Sequence, residues 1–231
     1  MAFQFEQGSG REGADGGRTE LKTSVPDGRL PGVIEPNPKA DLLYYLQDAR
    51  EALAWKLDGL SEYDVRRPLT PTGTNLLGLV KHVAGVELGY FGDTFGRPFF
   101  DSEPPPWWYT RDTEVNADMW ATADESREQI VELYHQAWEH SNGTIEELGL
   151  DAIGHVPWWP EERRAVTLHH VLVRVIAETH RHAGHADIVR ELVDGSVGEL
   201  KGKSNLPPGD GAWMEDYRQK LERVAREAGN R

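Results

Sequence analysis

The chain has 231 residues, 38% hydrophobic and 28% charged, proportions that are typical of a globular domain and exclude disorder over most of the length. The 25 Lys and Arg residues stand against 39 Asp and Glu residues, and the formal charge of −14 disfavours binding to nucleic acid or to an anionic membrane surface. The chain has no cysteine, which excludes a disulfide framework, a thiolate zinc site and a nucleophilic sulfur of the protein's own.

The first 36 residues differ in composition from the rest of the chain. They are rich in glycine and charge and contain no apolar targeting segment, so residues 1–36 are predicted to form a flexible or surface-wrapping arm. Residues 37–231 are then a single domain. No apolar run in the chain approaches the roughly 18 residues that a membrane-spanning helix needs, and we expect a cytoplasmic protein.

Two amphipathic helices are predicted in the first half of this domain. Leucines and alanines at intervals of three and four indicate a helix over residues 39–60. Two prolines break the following stretch. Thr74 or Asn75 can cap a second helix, which runs to about Phe95.

Two loops rich in proline and tryptophan flank a third helix. The loop over residues 97–118 contains the sequence PPPWWY, and the loop over residues 155–164 contains PWWP. We expect the tryptophans of these loops (Trp107, Trp108, Trp158 and Trp159) to close one end of the bundle, with lining of a pocket mouth as the alternative. The third helix covers about residues 123–148, although Asn142 and Gly143 could interrupt it.

The fourth predicted helix is the longest, starting at Thr167 and stopping at Gly195. A polar connection then leads to a short amphipathic helix over residues 212–228. No alternating strand is convincing. The pattern predicts an all-α fold, a four-helix bundle with an additional C-terminal helix packed outside it.

The fourth helix carries two polar residues on its apolar face. Glu178 and His182 lie one turn apart within the arc of buried positions. A buried carboxylate without a partner costs several kcal/mol, so Glu178 must be protonated, paired with a cation or bound to a metal. His169 and His180 lie on the opposite side and are predicted to be surface residues, whereas His185 lies at the edge of the arc.

The second helix offers a partner for this pair. His82 lies beside the apolar half of that helix and next to a stripe formed by Gly78, Gly85 and Gly89. Each mid-helix glycine costs about 1 kcal/mol relative to alanine, so the stripe indicates close helix packing or space left beside the histidine. Either interpretation places His82 near another element.

These residues support two interpretations. Two imidazoles and a carboxylate from facing helices suit a divalent metal with open coordination positions. In the alternative, Glu178 pairs with protonated His182 or with Arg174, and His82 is hydrogen-bonded locally. Arg174 could also meet an anionic substrate, although a surface ion pair is the expected role. The absence of HExxH, Walker and GxSxG motifs leaves zincin, NTPase and esterase functions without support.

Two segments of the chain carry a family resemblance. The sequences NLLGLVKHVAGVELGYF and TLHHVLVRVIAETHRHAGHADIVRELVDG resemble the two halves of the DinB-like superfamily, in its actinobacterial mycothiol-linked branch, and the similarity extends over about residues 38–220. The resemblance implies a four-helix bundle with a metal held by His82, Glu178 and His182. The glutamate is similar to that of mycothiol-dependent maleylpyruvate isomerase, whereas many members have histidine there. His185 and Asp187 also match the branch, without an implied ligand role.

The resemblance implies an enzyme that uses a thiol from outside the chain. The expected function is a metal-dependent S-transferase in which mycothiol attacks a small electrophile, or a thiol-assisted isomerase, with no catalytic residue beyond the metal ligands. Zinc is the expected metal, and nickel or iron are alternatives. The competing functions are a metal-dependent hydrolase of small amides or esters and a non-catalytic metal-binding stress protein. The partners are then a small thiol and an electrophile, without nucleic acid or membrane, in a monomer or homodimer.

Overall fold

A computed structural model of the chain describes residues 37–100, 104–110, 113–204, 206–207 and 209–230. The arm predicted for residues 1–36 lies outside the described residues, and the assignment stays a prediction. Within the described ranges no helix combines the length and the apolar character that crossing a bilayer requires.

The described residues form an all-α fold, as the periodicity predicted. Four long helices correspond to the four predicted ones, and a further helix follows near the C-terminus. The α-helices are α1 Pro38–Trp55, α2 Glu62–Arg66, α3 Leu76–Glu87, α4 Arg127–Glu147, α5 Leu168–Asp194 and α6 Gly211–Gly229, and the strands are β1 Ile153–His155 and β2 Ala165–Thr167.

Side-chain caps fix where the long helices begin. Asn75, at the start of α3, accepts a hydrogen bond from the Gly78 amide at 2.7 Å, and Thr167 accepts one from the His170 amide at the start of α5. Gly195 ends α5 in the left-handed region at φ 76°, a conformation that favours glycine. The capping residues predicted for these two helices are therefore the ones that the fold uses.

Three local features differ from the sequence predictions. The strands β1 and β2 pair as an antiparallel hairpin, with Gly154 opposite Val166, and three residues each are too few to show an alternating pattern. The single-turn helix α2 is likewise too short to show periodicity. The predicted interruption of α4 at Asn142 and Gly143 is wrong: the helix is continuous, and Asn142 accepts a hydrogen bond from Arg50 at 2.9 Å.

The bundle is formed by α1, α3, α4 and α5. Helix α1 packs against α5, and α3 packs against both α4 and α5. A fully buried ion pair joins α1 to α3, since Arg50 Nε donates to Glu87 Oε1 at 2.9 Å and Nη2 donates to Oε2 at 2.5 Å. By contrast, α6 has no buried residue among those described. The C-terminal helix therefore contributes little to the core.

The predicted second helix is not regular over its whole length. After α3, the backbone forms a π-helical turn over Leu88–Gly92 and a 3-10 turn over Asp93–Phe95. A π-turn shifts the phase of a helix, and such turns occur frequently at functional sites. Here the π-turn carries Tyr90, whose ring lines the cavity described next.

Candidate metal centre

Three side chains from two helices converge at the surface between α3 and α5. His82 comes from α3, and Glu178 and His182 come from successive turns of α5. One donor atom of each lies within 4.8 Å of the others. His82 Nε2 lies 3.6 Å and His182 Nε2 lies 3.1 Å from Glu178 Oε1. Residues 96 positions apart in sequence thus meet at one point.

A fourth residue orients His82. The Nδ1–H of His82 donates to Asp118 Oδ2 at 2.6 Å, which leaves Nε2 as the nitrogen that points to Glu178. Burial works to lower the pKa of the imidazole, but the hydrogen bond and charge of Asp118, helped by Glu178, outweigh it and raise the pKa above its ordinary value. His82 is therefore a basic imidazole with a fixed tautomer, as many metal ligands are.

The pKa values of the other two side chains are both lowered. Burial works to raise the pKa of the Glu178 carboxyl, but hydrogen bonds and charge from His182 and His82 outweigh it and hold the pKa below its ordinary value. Burial lowers the pKa of His182, and the nearby charge of His82 adds to this. The cluster thus favours an ionised carboxylate beside a neutral His182.

The geometry fits a divalent metal. Zinc bonds of about 2.0–2.1 Å in a tetrahedral site place the donor atoms about 3.3 Å from one another. The separations of 3.1 Å and 3.6 Å to Glu178 Oε1 lie on either side of this value. Two imidazoles and one ionised carboxylate also leave at least one coordination position for another ligand. With all three donor atoms within 4.8 Å of one another, the residues form a candidate site for such an ion.

A cavity of about 340 Å³ is lined by two of the three side chains, His82 and Glu178. The cavity is open to solvent. A centre closed off by the tryptophan loops would instead favour a non-catalytic metal-binding protein. Aromatic rings form much of the wall and one arginine contributes a positive charge. The lining residues are His82, Gly85, Val86, Tyr90, Trp108, Tyr109, Asp118, Trp158, Arg174 and Glu178.

The glycine stripe, which runs along α3 and into the π-turn that follows it, explains how the two loops can pack beside this cavity. A Cβ on Gly85 would lie 3.1 Å from the Trp108 ring, and one on Gly89 would lie 2.9 Å from the Trp158 ring. On Gly78 a Cβ would lie 1.8 Å from the Met119 carbonyl oxygen. The glycines therefore allow the loops to pack directly against the helix. Of the two interpretations of the stripe, close packing is favoured over space left beside His82.

The remaining sequence candidates lie outside the cluster or beside it. His169 and His180 are exposed, as predicted. The ring of His185 lies 5.4 Å from that of His182, but His185 does not join the three converging donor atoms. Of the tryptophans, Trp108 and Trp158 line the cavity, whereas a plug was the expected role.

Asp118 was missed by the sequence analysis. It lies in a 3-10 turn, Ala117–Met119, within the loop predicted over residues 97–118, where no periodicity assigns a direction to a side chain. The signal for its role is structural. The side-chain amide of Asn75 donates to the Met119 carbonyl at 3.0 Å, and Lys81 donates to the Trp120 carbonyl at 2.8 Å. Both bonds hold the turn against α3 beside His82.

Fold and site together define an all-α protein with a candidate metal centre of two histidines and a glutamate at an open, aromatic cavity. Comparison with family models identifies which proteins share this design. A model for the mycothiol-S-transferase family matches residues 41–195, and the chain belongs to that family. The matched segment contains all three converging residues.

Other comparisons add support for the fold alone. A solved structure described as a conserved protein from Enterococcus faecalis is similar at a TM-score of 0.50 and 16% sequence identity. The similarity covers 70% of this chain and 100% of that chain. No curated protein matches the sequence.

Proposed function

We propose that the protein is a metal-dependent S-transferase in which His82, Glu178 and His182 hold a divalent metal, zinc in the first instance, and mycothiol supplies the nucleophile. The observation that carries the proposal is the convergence of these three side chains in a member of the mycothiol-S-transferase family, with His82 and Glu178 lining an open cavity. The absence of cysteine is in keeping with it, because the reacting sulfur then comes from the cosubstrate.

The metal would supply one chemical effect: a thiol bound to a divalent cation has a lowered pKa, so that its thiolate is available near neutral pH. The protein's own side chains do the rest. Asp118 keeps the proton of His82 on Nδ1 and so keeps Nε2 directed at the centre. The rings of Trp108 and Trp158 would give the electrophile an apolar wall.

The proposed reaction is a substitution. The thiolate sulfur forms a bond to the electrophilic carbon of the second substrate, and the bond from that carbon to its leaving group breaks. The leaving group departs with the bonding electron pair, and the thiol proton passes to solvent. With monochlorobimane as the electrophile, the products are a thioether and chloride.

The test compares metal-free and zinc-loaded protein, each mixed with mycothiol and monochlorobimane. We expect thioether formation well above the uncatalysed rate only in the loaded sample. Equal, background-level conjugation in both samples would contradict the proposal. If amides or esters are hydrolysed and no thioether forms, the protein is a hydrolase instead.

Variants connect this activity to the three side chains. We expect His82→Ala and Glu178→Ala to lose bound zinc, measured by elemental analysis of protein purified without a histidine tag. His180→Ala is the matched control, because His180 is an exposed histidine of the same helix. Retention of zinc by the first two variants, at the level of the control, would show that the metal is held elsewhere.

A further inference from the structure

One charged group of the cavity has no part in the proposed metal centre. Arg174 lies on α5 one turn before Glu178, and its side chain lines the same cavity as His82 and Glu178. Residues four positions apart on a helix have Cβ atoms about 6 Å apart. A molecule that reacts at the metal centre therefore has a guanidinium within reach of its other end.

The guanidinium is held in place by aromatic neighbours. Arg174 Nε donates to the Tyr90 hydroxyl at 2.7 Å. Its central carbon lies 5.2 Å from the Tyr90 ring centre and 5.1 Å from that of Trp159. Tyr90 is itself packed edge-to-face against Trp158, with ring centres 5.1 Å apart. These contacts orient the planar group without neutralising its charge.

Arg174 has no acidic partner in the described part of the chain. Among the described residues, Arg174 does not form the surface ion pair expected from the sequence. Glu178, the nearest carboxylate along the helix, directs Oε1 to the two histidines instead. With Nε bonded to Tyr90, the two terminal nitrogens are left to donate to a ligand, and a pair of parallel N–H groups suits a carboxylate.

We infer that Arg174 forms an anion-binding subsite, and that the electrophilic substrate is an aromatic or apolar molecule bearing a carboxylate. The reaction of this substrate rests on the proposed function, whereas binding of its carboxylate at Arg174 does not. The carboxylate lies on the Arg174 terminal nitrogens, the apolar body lies against Trp158 and Tyr90, and the reacting carbon is directed to the metal centre. Arg174 is thus a residue that determines specificity.

Binding of unreactive probes tests the subsite independently of any reaction. We expect 4-methylbenzoate to bind metal-free protein more tightly than 4-methylbenzamide, measured by calorimetry, and Arg174→Gln to weaken benzoate binding by about ten- to hundredfold. Arg223→Gln, on the exposed face of α6, is the matched control and keeps wild-type binding. Equal binding of the two probes, or equal loss of both in Arg174→Gln, would overturn the inference.

A second measurement uses reactive probes with zinc-loaded protein and mycothiol. For 4-(bromomethyl)benzoate and 4-(bromomethyl)benzamide, the thiolate sulfur bonds to the benzylic carbon and bromide leaves with the electron pair. We expect the benzoate-to-benzamide ratio of kcat/KM to fall by about ten- to hundredfold in Arg174→Gln. An unchanged ratio overturns the assignment. Benzoate binding that depends on Arg174, without conjugation of either probe, supports the subsite and contradicts only the transferase.

Discussion

Asp118 shows how a residue without a direct ligand role can control the centre. Its carboxylate accepts the Nδ1–H of His82, and this hydrogen bond is the largest influence that lowers the pKa of Asp118 itself. The bond fixes the tautomer and increases the basicity of Nε2. His182 lacks such support, since its buried Nδ1 has no hydrogen-bond partner in the described residues. The two imidazoles are therefore unequal, and His82 is the better-oriented donor.

Replacement of Asp118 should therefore weaken metal binding. We expect Asp118→Asn to lower zinc affinity by about 10- to 100-fold, because loss of this kind of hydrogen bond to a ligating histidine has that effect elsewhere. Competition with a chromogenic chelator measures the change. Asp124→Asn, an exposed carboxylate of the neighbouring loop, is the control and should bind zinc as the wild type does. Identical affinities for both variants would contradict a role for Asp118.

The same pair of residues predicts a dependence on pH. Asp118 raises the affinity of His82 for a proton, so protons would compete with the proposed zinc from a higher pH than at an ordinary imidazole. In Asp118→Asn this competition is weaker. We expect the affinity deficit of the variant to be largest near pH 8 and to shrink as the pH falls towards 5.5. A deficit that grows on acidification would contradict the argument.

At the scale of elements, α3 positions the site both through the hydrogen bonds of its side chains and through the space that its glycines leave. Asn75 caps the helix by accepting a hydrogen bond from the Gly78 amide, and its side-chain amide donates to the Met119 carbonyl. Gly78 lets that carbonyl approach the helix, and the adjacent Asp118 then reaches His82, one turn after Gly78. Helix and turn are in direct contact, so a change in that contact should alter the candidate metal centre.

A single methyl group tests this coupling. We expect Gly78→Ala to lower the free energy of unfolding by about 1–3 kcal/mol, because the Met119 backbone must move, and to weaken zinc affinity by displacing Asp118. Urea denaturation of metal-free protein and chelator competition measure the two effects. Gly143→Ala is the control within α4: its Cβ meets nothing within 4 Å, so it should stabilise by about 0.5–1 kcal/mol. Wild-type zinc affinity in Gly78→Ala would refute the coupling.

At the scale of the molecule, the sequence predicts the helices, whose buried positions repeat at a regular interval, but not the side-chain directions in irregular turns. Leucine spacing, together with Asn75, Thr167 and Gly195 at helix ends, predicts the four long helices and the face that carries Glu178 and His182. No period describes the 3-10 turn of Asp118 or the π-turn that carries Tyr90. Their side-chain directions depend on tertiary contacts, so the roles of Asp118 and Tyr90 could be assigned only from the structure.

We expect the helix α6 to contribute little to the stability of the bundle. It has no buried residue, and the family match ends at residue 195, before the helix begins. We expect a chain truncated after Ser204 to lose less than about 1 kcal/mol of unfolding free energy, which moves the thermal midpoint by about 2–4 °C at most, and to keep wild-type zinc affinity. Leu46→Ala, at a fully buried position of α1, is the comparison and should cost about 2–5 kcal/mol. If the truncated chain unfolds as easily as Leu46→Ala does, α6 is a structural part of the bundle and its exposed apolar residues have a packing role in solution.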